Sequence, residues 1–367
     1  MKTFTIKTPG KLMVAGEFAV LEPNHHLLVM AVDRFVYTKF QACDNNVVTL
    51  KNFNLNNLEW KFTENRVEFS TSDSRLSFIR DAIATVLTYL KENEIFPEPF
   101  SLTVNSELDD VESGLKYGLG SSAAVVTSII NAILIKFLPE PPSRELIFKL
   151  AAISHIKTQG NGSGADIAAS TYGGVINYTS FQAEWLNEEL KRESSIVKLV
   201  EKNWTYLSIE QVSFPENLEL FIGWTGTPAS TGSLVSHIKT LKRTKPEWYH
   251  LFLENSDYAV DLILDGINQN NRKSFLDGIR KNRMTLSQIG EDAGVEIETE
   301  KLYKLSMVAE QFDGAGKLSG AGGGDCGIAF IPSDKASKDL YKKWKEMNIK
   351  PLDIKLCPTG STIITSE

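Results

Sequence analysis

One feature constrains this chain more than any other: a glycine-serine loop that opens straight into an apolar segment. Residues Lys116-Tyr117-Gly118-Leu119-Gly120-Ser121-Ser122-Ala123-Ala124 run on into apolar sequence that stops at Pro139. A helix of about 17 residues starting at Ser121 is expected, because a proline ends a helix at or before its own position. Thr127, Ser128, Asn131 and Lys136 interrupt the run, so it falls short of the roughly 18 uninterrupted apolar residues of a membrane span. It reads as a buried helix. Glycines let a backbone approach a ligand closely, and the first N–H groups of a helix have no internal partner. The helix dipole adds about half a positive charge at that end. Such an end cradles phosphate. Ser121 and Ser122 add hydroxyls suited to phosphate oxygens or Mg²⁺, and Lys116 adds a full charge beside them. Taken alone, the loop is also compatible with a plain N-cap.

The rest of the chain decides how that loop is read. At 367 residues, and about 150 per domain, two domains are expected. Acidic side chains number 46 and basic ones 39, a net charge of −7, which argues against a nucleic-acid binder working through overall positive charge. An anionic ligand must therefore meet local positive potential. Cys43, Cys326 and Cys357 are widely spaced with no C-x-x-C, so neither a disulfide framework nor a structural zinc site is indicated, and a reducing cytoplasm is the expected home. The first residues alternate as a strand does and lack the apolar core of a signal peptide. Neither a membrane nor a nucleic acid is an expected partner; monomer and homodimer both remain open.

Strands dominate the first third: Phe4 and Ile6, Leu27 to Val32, Phe35 to Tyr37, and Val47 to Leu50. Leu76, Ile79, Ile83, Val86, Leu87 and Leu90 recur at helical spacing, and Ser143 is placed to cap a further helix. Helices are expected again around Ser233–Leu241, Tyr249–Ile267 and Phe275–Ile289, with a glycine-rich strand pair and a last strand at Ile363-Ile364. The mixture is α+β rather than a regular βαβ series. The chain turns irregular between Asn203 and Phe221, and the boundary is placed near Ser213, giving domains 1–213 and 214–367.

Three further loops carry chemistry. In Pro9–Phe18 a lysine, Lys11, leaves a strand and a Gly-Glu pair follows, with Glu17 before Phe18. In Lys317–Gly327, five of eight residues from Gly320 are glycine, which suggests close backbone approach to a ligand or another loop. The third, Gln159-Gly160-Asn161-Gly162-Ser163-Gly164-Ala165-Asp166, ends in an acid that is either an N-cap or ligand-facing. Lys239, Lys242 and Arg243 share one helical face, available to solvent or to a phosphate. Gly118, Gly120 and Ala123 also fit the dinucleotide pattern G-x-G-x-x-A, but Pro139-Glu140-Pro141-Pro142 occupies the place where a second strand and its acid belong. A Walker A loop is absent.

Pro9–Phe18, Lys116–Ala124 and Ser319–Asp325 together resemble, in order and rough spacing, the three motifs of the galactokinase, homoserine kinase, mevalonate kinase and phosphomevalonate kinase (GHMP) superfamily. Lys-Tyr-Gly before the second motif, the Gln159–Asp166 loop, Gly223-Trp224-Thr225 and Gly324-Asp325-Cys326-Gly327 are most similar to the bacterial phosphomevalonate branch. The resemblance implies a domain like the second domain of ribosomal protein S5, a ferredoxin-like C-terminal domain, a cleft between them, and ATP with Mg²⁺ as cofactors. It implies that Lys11 and Asp166 flank the transferring phosphoryl group. Gly118, Leu119, Gly120, Ser121, Ser122 and Ala123 would hold the ATP phosphates, with Ser122 on the metal. Lys116, Ser163, Gly164, Glu17, Phe18, Ser230 and Thr231 would lie near the acceptor, 5-phosphomevalonate, and Ser319, Gly320, Ala321, Gly322 and Gly323 would support the triphosphate loop. Two departures stand out. His155 replaces a glutamate metal ligand of mevalonate kinases, and Phe18 replaces a tyrosine. Mevalonate kinase and diphosphomevalonate decarboxylase are the alternatives within the superfamily.

Overall fold

A computed structural model describes residues 3–229, 231–335 and 338–366. Two sheets organise them. The first contains β1 (Thr3–Ala15), β2 (His26–Ala42), β3 (Val47–Leu50), β4 (Leu55–Thr63), β5 (Arg66–Phe69), β6 (Phe100–Ser106), β7 (Val175–Thr179) and β8 (Ser208–Val212). The second contains β9 (Leu218–Trp224), β10 (Ala315–Leu318), β11 (Cys326–Pro332) and β12 (Lys350–Leu352), in the antiparallel order β10-β11-β9-β12. The last strand, β13 (Thr362–Ser366), returns to the first sheet and pairs with β1, so the C-terminal segment does not stay with the second sheet.

Helices α1 (Ser77–Glu92), α2 (Ser121–Phe137) and α4 (Ala165–Tyr172) pack on the first sheet, α3 (Arg144–Gln159) packs against those three helices, and α5 (Ala183–Arg192) and α6 (Ile196–Glu201) follow. α2 is buried nearly all round, with Ala124, Val126, Ile129, Ile130, Ile133 and Leu134 at 0% exposure, as expected for a helix apolar on every face. Ser143 caps α3 by accepting from Leu146 N at 3.1 Å. The second sheet carries α7 (Thr231–Thr244), α8 (Pro246–Asn268), α9 (Arg272–Ala293), α10 (Glu300–Glu310) and α11 (Lys338–Glu346). One core joins the two sheets: Val14 and Leu28 share a cluster with Phe275 and Phe330.

Three local expectations change. β1 runs on to Ala15, so Lys11 is inside a strand and not at its end. The two strands expected at Leu27–Val32 and Phe35–Tyr37 are one. β2 passes through Asp33-Arg34 because its neighbour changes there, from β7 at His26–Met30 to β6 at Val36–Ala42. The bend is satisfied by the C-terminal segment: Asp33 N donates to Lys355 O at 2.9 Å, and Arg34 to Asp353 O at 2.7 Å. Within the stretch read as irregular, residues 208–212 form an edge strand on β7.

Candidate active site

The N-terminus of α2 is built around a glycine that no other residue can replace without strain. Gly120 is the N-cap at φ 76°, and no side chain caps the helix, so its first N–H groups point outward unclaimed by the loop. A Cβ on Gly120 would lie 3.0 Å from Lys11 Cγ and 3.4 Å from Asp166 Cβ. Three separated motifs thus converge on one point. Lys11, 9% exposed, donates from Nζ to Gly118 O at 3.1 Å and from its backbone N to Leu119 O at 2.9 Å. A bulge at Pro9/Gly10 brings β1 so near this loop that a Cβ on Gly10 would lie 2.8 Å from Leu119 O. Lys11 makes no ion pair with Asp166 among the described residues; its ammonium is held by the loop instead.

Asp166 is not the cap of α4. Gly164, at φ 79°, takes that position, and Asp166 is in the first turn, where Oδ1 accepts from Ile167 N at 3.0 Å. The turn before it is fixed from below. Ser163 O accepts from Tyr178 Oη at 2.5 Å and Ser180 Oγ at 3.0 Å, and Ser163 Oγ accepts from Ala165 N at 3.3 Å. Phe181 leaves no room for a Cβ on Gly164. Across the site, Ser122 Oγ is 3.5 Å from His155 Nε2. His155 lies in α3 against the Phe78 ring. Burial pushes its pKa down, against the pull of the Asp166 charge.

The third loop is the β10–β11 hairpin, and much of it faces the protein body. Glu17 is 3% exposed and Lys317 is 0% exposed, and they form an ion pair at 2.5 Å. Gly320 N also donates to Glu17 at 3.3 Å. With its amide oriented to satisfy both neighbours, Asn282 donates to Glu17 Oε2 at 3.1 Å and accepts from Gly16 N at 3.2 Å. Ser319 Oγ accepts from Met13 N at 2.8 Å and donates to Met13 O at 2.9 Å. Phe18 packs with Leu234, Ile238 and Leu286, joined by Ala321. Gly323 N donates to Ile297 O at 2.8 Å, and Ile297 closes the space beside Gly322. The carboxylate of Glu17, the ring of Phe18 and the hydroxyl of Ser319 are therefore committed to internal partners.

The comparisons with known proteins fit this arrangement. Residues 78–174 match the family described as GHMP kinases N terminal domain, and residues 263–350 the one described as GHMP kinases C terminal. The chain belongs to the GHMP kinase family. It is 32% identical to a phosphomevalonate kinase of Streptomyces sp. (strain CL190), over 96% of this chain and 97% of that protein. Among solved structures, the Lin0012 protein from Listeria innocua is 37% identical with a TM-score of 0.93, covering 99% of this chain and 100% of that one. Streptococcus pneumoniae phosphomevalonate kinase in complex with phosphomevalonate and AMPPNP is 26% identical with a TM-score of 0.83, covering 96% and 99%. The fold is thus the two-domain GHMP kinase fold.

This GHMP kinase has site features that sequence reasoning missed. Asp110, 4% exposed, accepts from Ser113 N at 3.0 Å, Ser113 Oγ at 2.7 Å, Tyr117 Oη at 2.9 Å and Lys350 Nζ at 2.6 Å. Tyr117 also packs edge-on against Trp224, with ring centroids 5.1 Å apart. The residues just before the phosphate loop are thereby clasped to the second sheet, leaving Lys116 exposed. Asp325 is the second such feature; its carboxylate rests against Gly118. An acid inside a glycine run was the available signal. Of the basic face, Lys239 pairs with Glu184 at 3.2 Å and Lys242 with Glu22 at 2.6 Å, so these two lysines tie α7 to the first domain's side. Ser230 lies outside the described residues, as does the side chain of Thr231.

Proposed function

We propose that this kinase transfers the γ-phosphoryl group of ATP to 5-phosphomevalonate, giving 5-diphosphomevalonate and ADP. The observation that carries the reading is the convergence of Lys11 and Asp166 on Gly120, at the uncapped, positively polarised end of α2. The names of the relatives support the acceptor.

Phosphoryl transfer asks mainly for positioning and charge stabilisation. An oxygen of the acceptor's phosphate forms the new bond to the γ-phosphorus while the bond to the β-bridging oxygen breaks, its electron pair leaving with ADP. The acceptor is a phosphate monoester with a second pKa of about 6, so at neutral pH its oxygen is mostly ionised already. Asp166 then has little proton to remove, and its role is to position. Repulsion between the two phosphates amounts to several kcal/mol at an effective dielectric of about 20; Lys11 and Lys116 offset it. The donor set fits magnesium held largely by phosphate and water: a hydroxyl from Ser122 and a carboxylate from Asp166 are hard oxygens, whereas His155 is a poor ligand for it. Bound there, the ion would neutralise charge on the β- and γ-phosphates. Cytoplasmic action suits the three unpaired thiols, two of them buried.

The test is ADP release from Mg-ATP by the purified protein with mevalonate, 5-phosphomevalonate or 5-diphosphomevalonate, with CO₂ followed throughout. Turnover with 5-phosphomevalonate alone and no CO₂ is expected. Turnover with either other compound would move the protein to another branch of the family. Asp166→Asn is expected to lower kcat by a similar factor from about pH 6 to pH 8. A loss confined to low pH, with full rate at about pH 8, would instead assign Asp166 a proton-transfer role.

A further inference from the structure

A phosphate site normally gathers positive charge, yet here a carboxylate lies against the phosphate loop. Asp325 has φ 52°, between Gly324 and the start of β11. Its backbone is fixed on both sides: its N donates to Thr227 O at 2.7 Å, and its O accepts from Thr225 N at 3.0 Å. The next residue, Cys326, donates from Sγ to Tyr117 O at 3.1 Å. The side chain is therefore aimed at Gly118. A Cβ on Gly118 would lie 2.6 Å from Asp325 Oδ2 and 2.7 Å from Cγ, so the loop backbone lies flush on the carboxylate. Oδ1 accepts from Ala229 N at 3.3 Å. Burial raises the Asp325 pKa, while the Ala229 N–H and the charges of Lys11 and Lys116 pull it back. Both of those lysines belong to the proposed phosphate-binding set.

We propose that Asp325 is a charge-balancing residue that lowers the net positive charge of the phosphate site and so weakens its hold on anions, substrates and products alike, which speeds product release. The need is physical. Four phosphates occupy the site before transfer and four after it, so a site charged enough to hold the substrates tightly would hold the products about as tightly. Uniformly tighter binding of anions adds nothing to the chemical step. A fixed carboxylate against Gly118, whose carbonyl holds the Lys11 ammonium, subtracts from that uniform binding while leaving the helix N–H groups in place for the transferring group.

The inference rests on the kinase reading, so the first readout is a ligand that needs no acceptor. Calorimetric titration of the full chain with ADP, and separately with inorganic pyrophosphate, would compare wild type with Asp325→Asn, which keeps the acceptor for Ala229 N and the volume beside Gly118. The Asn variant is expected to bind both about 5- to 10-fold more tightly at low salt. Most of that difference should disappear at about 0.5 M salt, a dependence that a purely structural role would not produce. In turnover, Michaelis constants and product inhibition constants should fall together, with kcat reduced where product release limits it. Asp325→Ala, which also frees the Ala229 N–H, separates packing from charge. Unchanged or weaker binding in Asn, or weaker binding in Ala with none gained in Asn, would overturn the proposal and leave the kinase reading intact. A wild-type protein that binds neither ligand would overturn both.

Discussion

At the scale of single residues, the site depends on what is missing at position 120 as much as on what is present at 11 and 166. Gly120 needs a left-handed backbone, and an added Cβ would press on the Lys11 stem at 3.0 Å. Gly120→Ala therefore combines a backbone cost of about 1–2 kcal/mol with displacement of the ammonium now held on Gly118 O. Misplacing a reacting group by about 1 Å can cost on the order of 100-fold in rate. The expected result is a kcat lowered about 10- to 100-fold while thermal unfolding remains cooperative, checked by steady-state kinetics beside a melting curve. A variant with normal kcat would mean that the Lys11 position is not set by this contact. The glycine itself was legible in the sequence, because G-x-G-S-S before an apolar run has few uses. That Lys11 answers to a carbonyl of the loop rather than to Asp166 was not, since it depends on a bulge at Pro9/Gly10 that no local pattern announces.

Elements were readable where one turn or one period decides them, and unreadable where a distant partner does. α2 spans Ser121–Phe137 because glycine opens it and the sequence before Pro139 closes it, and Ser143 caps α3 for equally local reasons. The continuity of β2 across Asp33-Arg34, by contrast, depends on residues 353–355 more than 300 positions away. The clasp on the phosphate loop is of the second kind, since Asp110 meets Lys350 only in the fold. Four hydrogen bonds, the Lys350 one foremost, hold the Asp110 carboxyl well below the usual carboxylate range. A lowered folded pKa stabilises above the unfolded value of about 3.9 and is lost as pH falls below it, so the clasp is intact throughout the neutral range. Lys350 is 44% exposed, and an exposed pair contributes only about 0.2–1 kcal/mol. Lys350→Ala is thus expected to raise the Michaelis constant for ATP by up to about 5-fold with kcat nearly unchanged. Asp110→Ala also orphans Ser113 and Tyr117, and should cost on the order of 2 kcal/mol. Urea titration and initial rates would separate the two; equal effects on both quantities would place Lys350, not Asp110, at the centre of the clasp.

Over the whole molecule, the two sheets are joined by ties of different strength. At the rim, His25 Nδ1 is 2.8 Å from Asp257, with 22% and 39% of the side chains exposed. The hydrogen bond to Asp257 raises the His25 pKa, helped by the Asp257 and Glu22 charges and opposed by burial. A raised folded pKa gives stability that is complete below about 6.5 and disappears as pH climbs through the folded value. The protein should therefore lose a fraction of a kcal/mol between about pH 6 and pH 8, and His25→Gln should flatten that part of the curve. The tie at the centre is stronger. Lys317 has no exposed surface and Glu17 almost none, and burial pushes the lysine pKa down while Glu17 opposes it. Removing one partner of such a pair strands the other's charge at about 3–5 kcal/mol, whereas replacing both with apolar residues of similar size is often close to neutral. Glu17→Met is expected to be severely destabilising and Glu17→Met with Lys317→Met much less so, a coupling that a double-mutant cycle in urea would measure. The same pair of variants separates two roles for Glu17. A glutamate that serves only to hold the β10–β11 hairpin against β1 predicts that the double variant, once folded, keeps a near-normal Michaelis constant for the acceptor. A glutamate that touches the acceptor, as its motif alone suggests, predicts a raised constant even where stability has been restored.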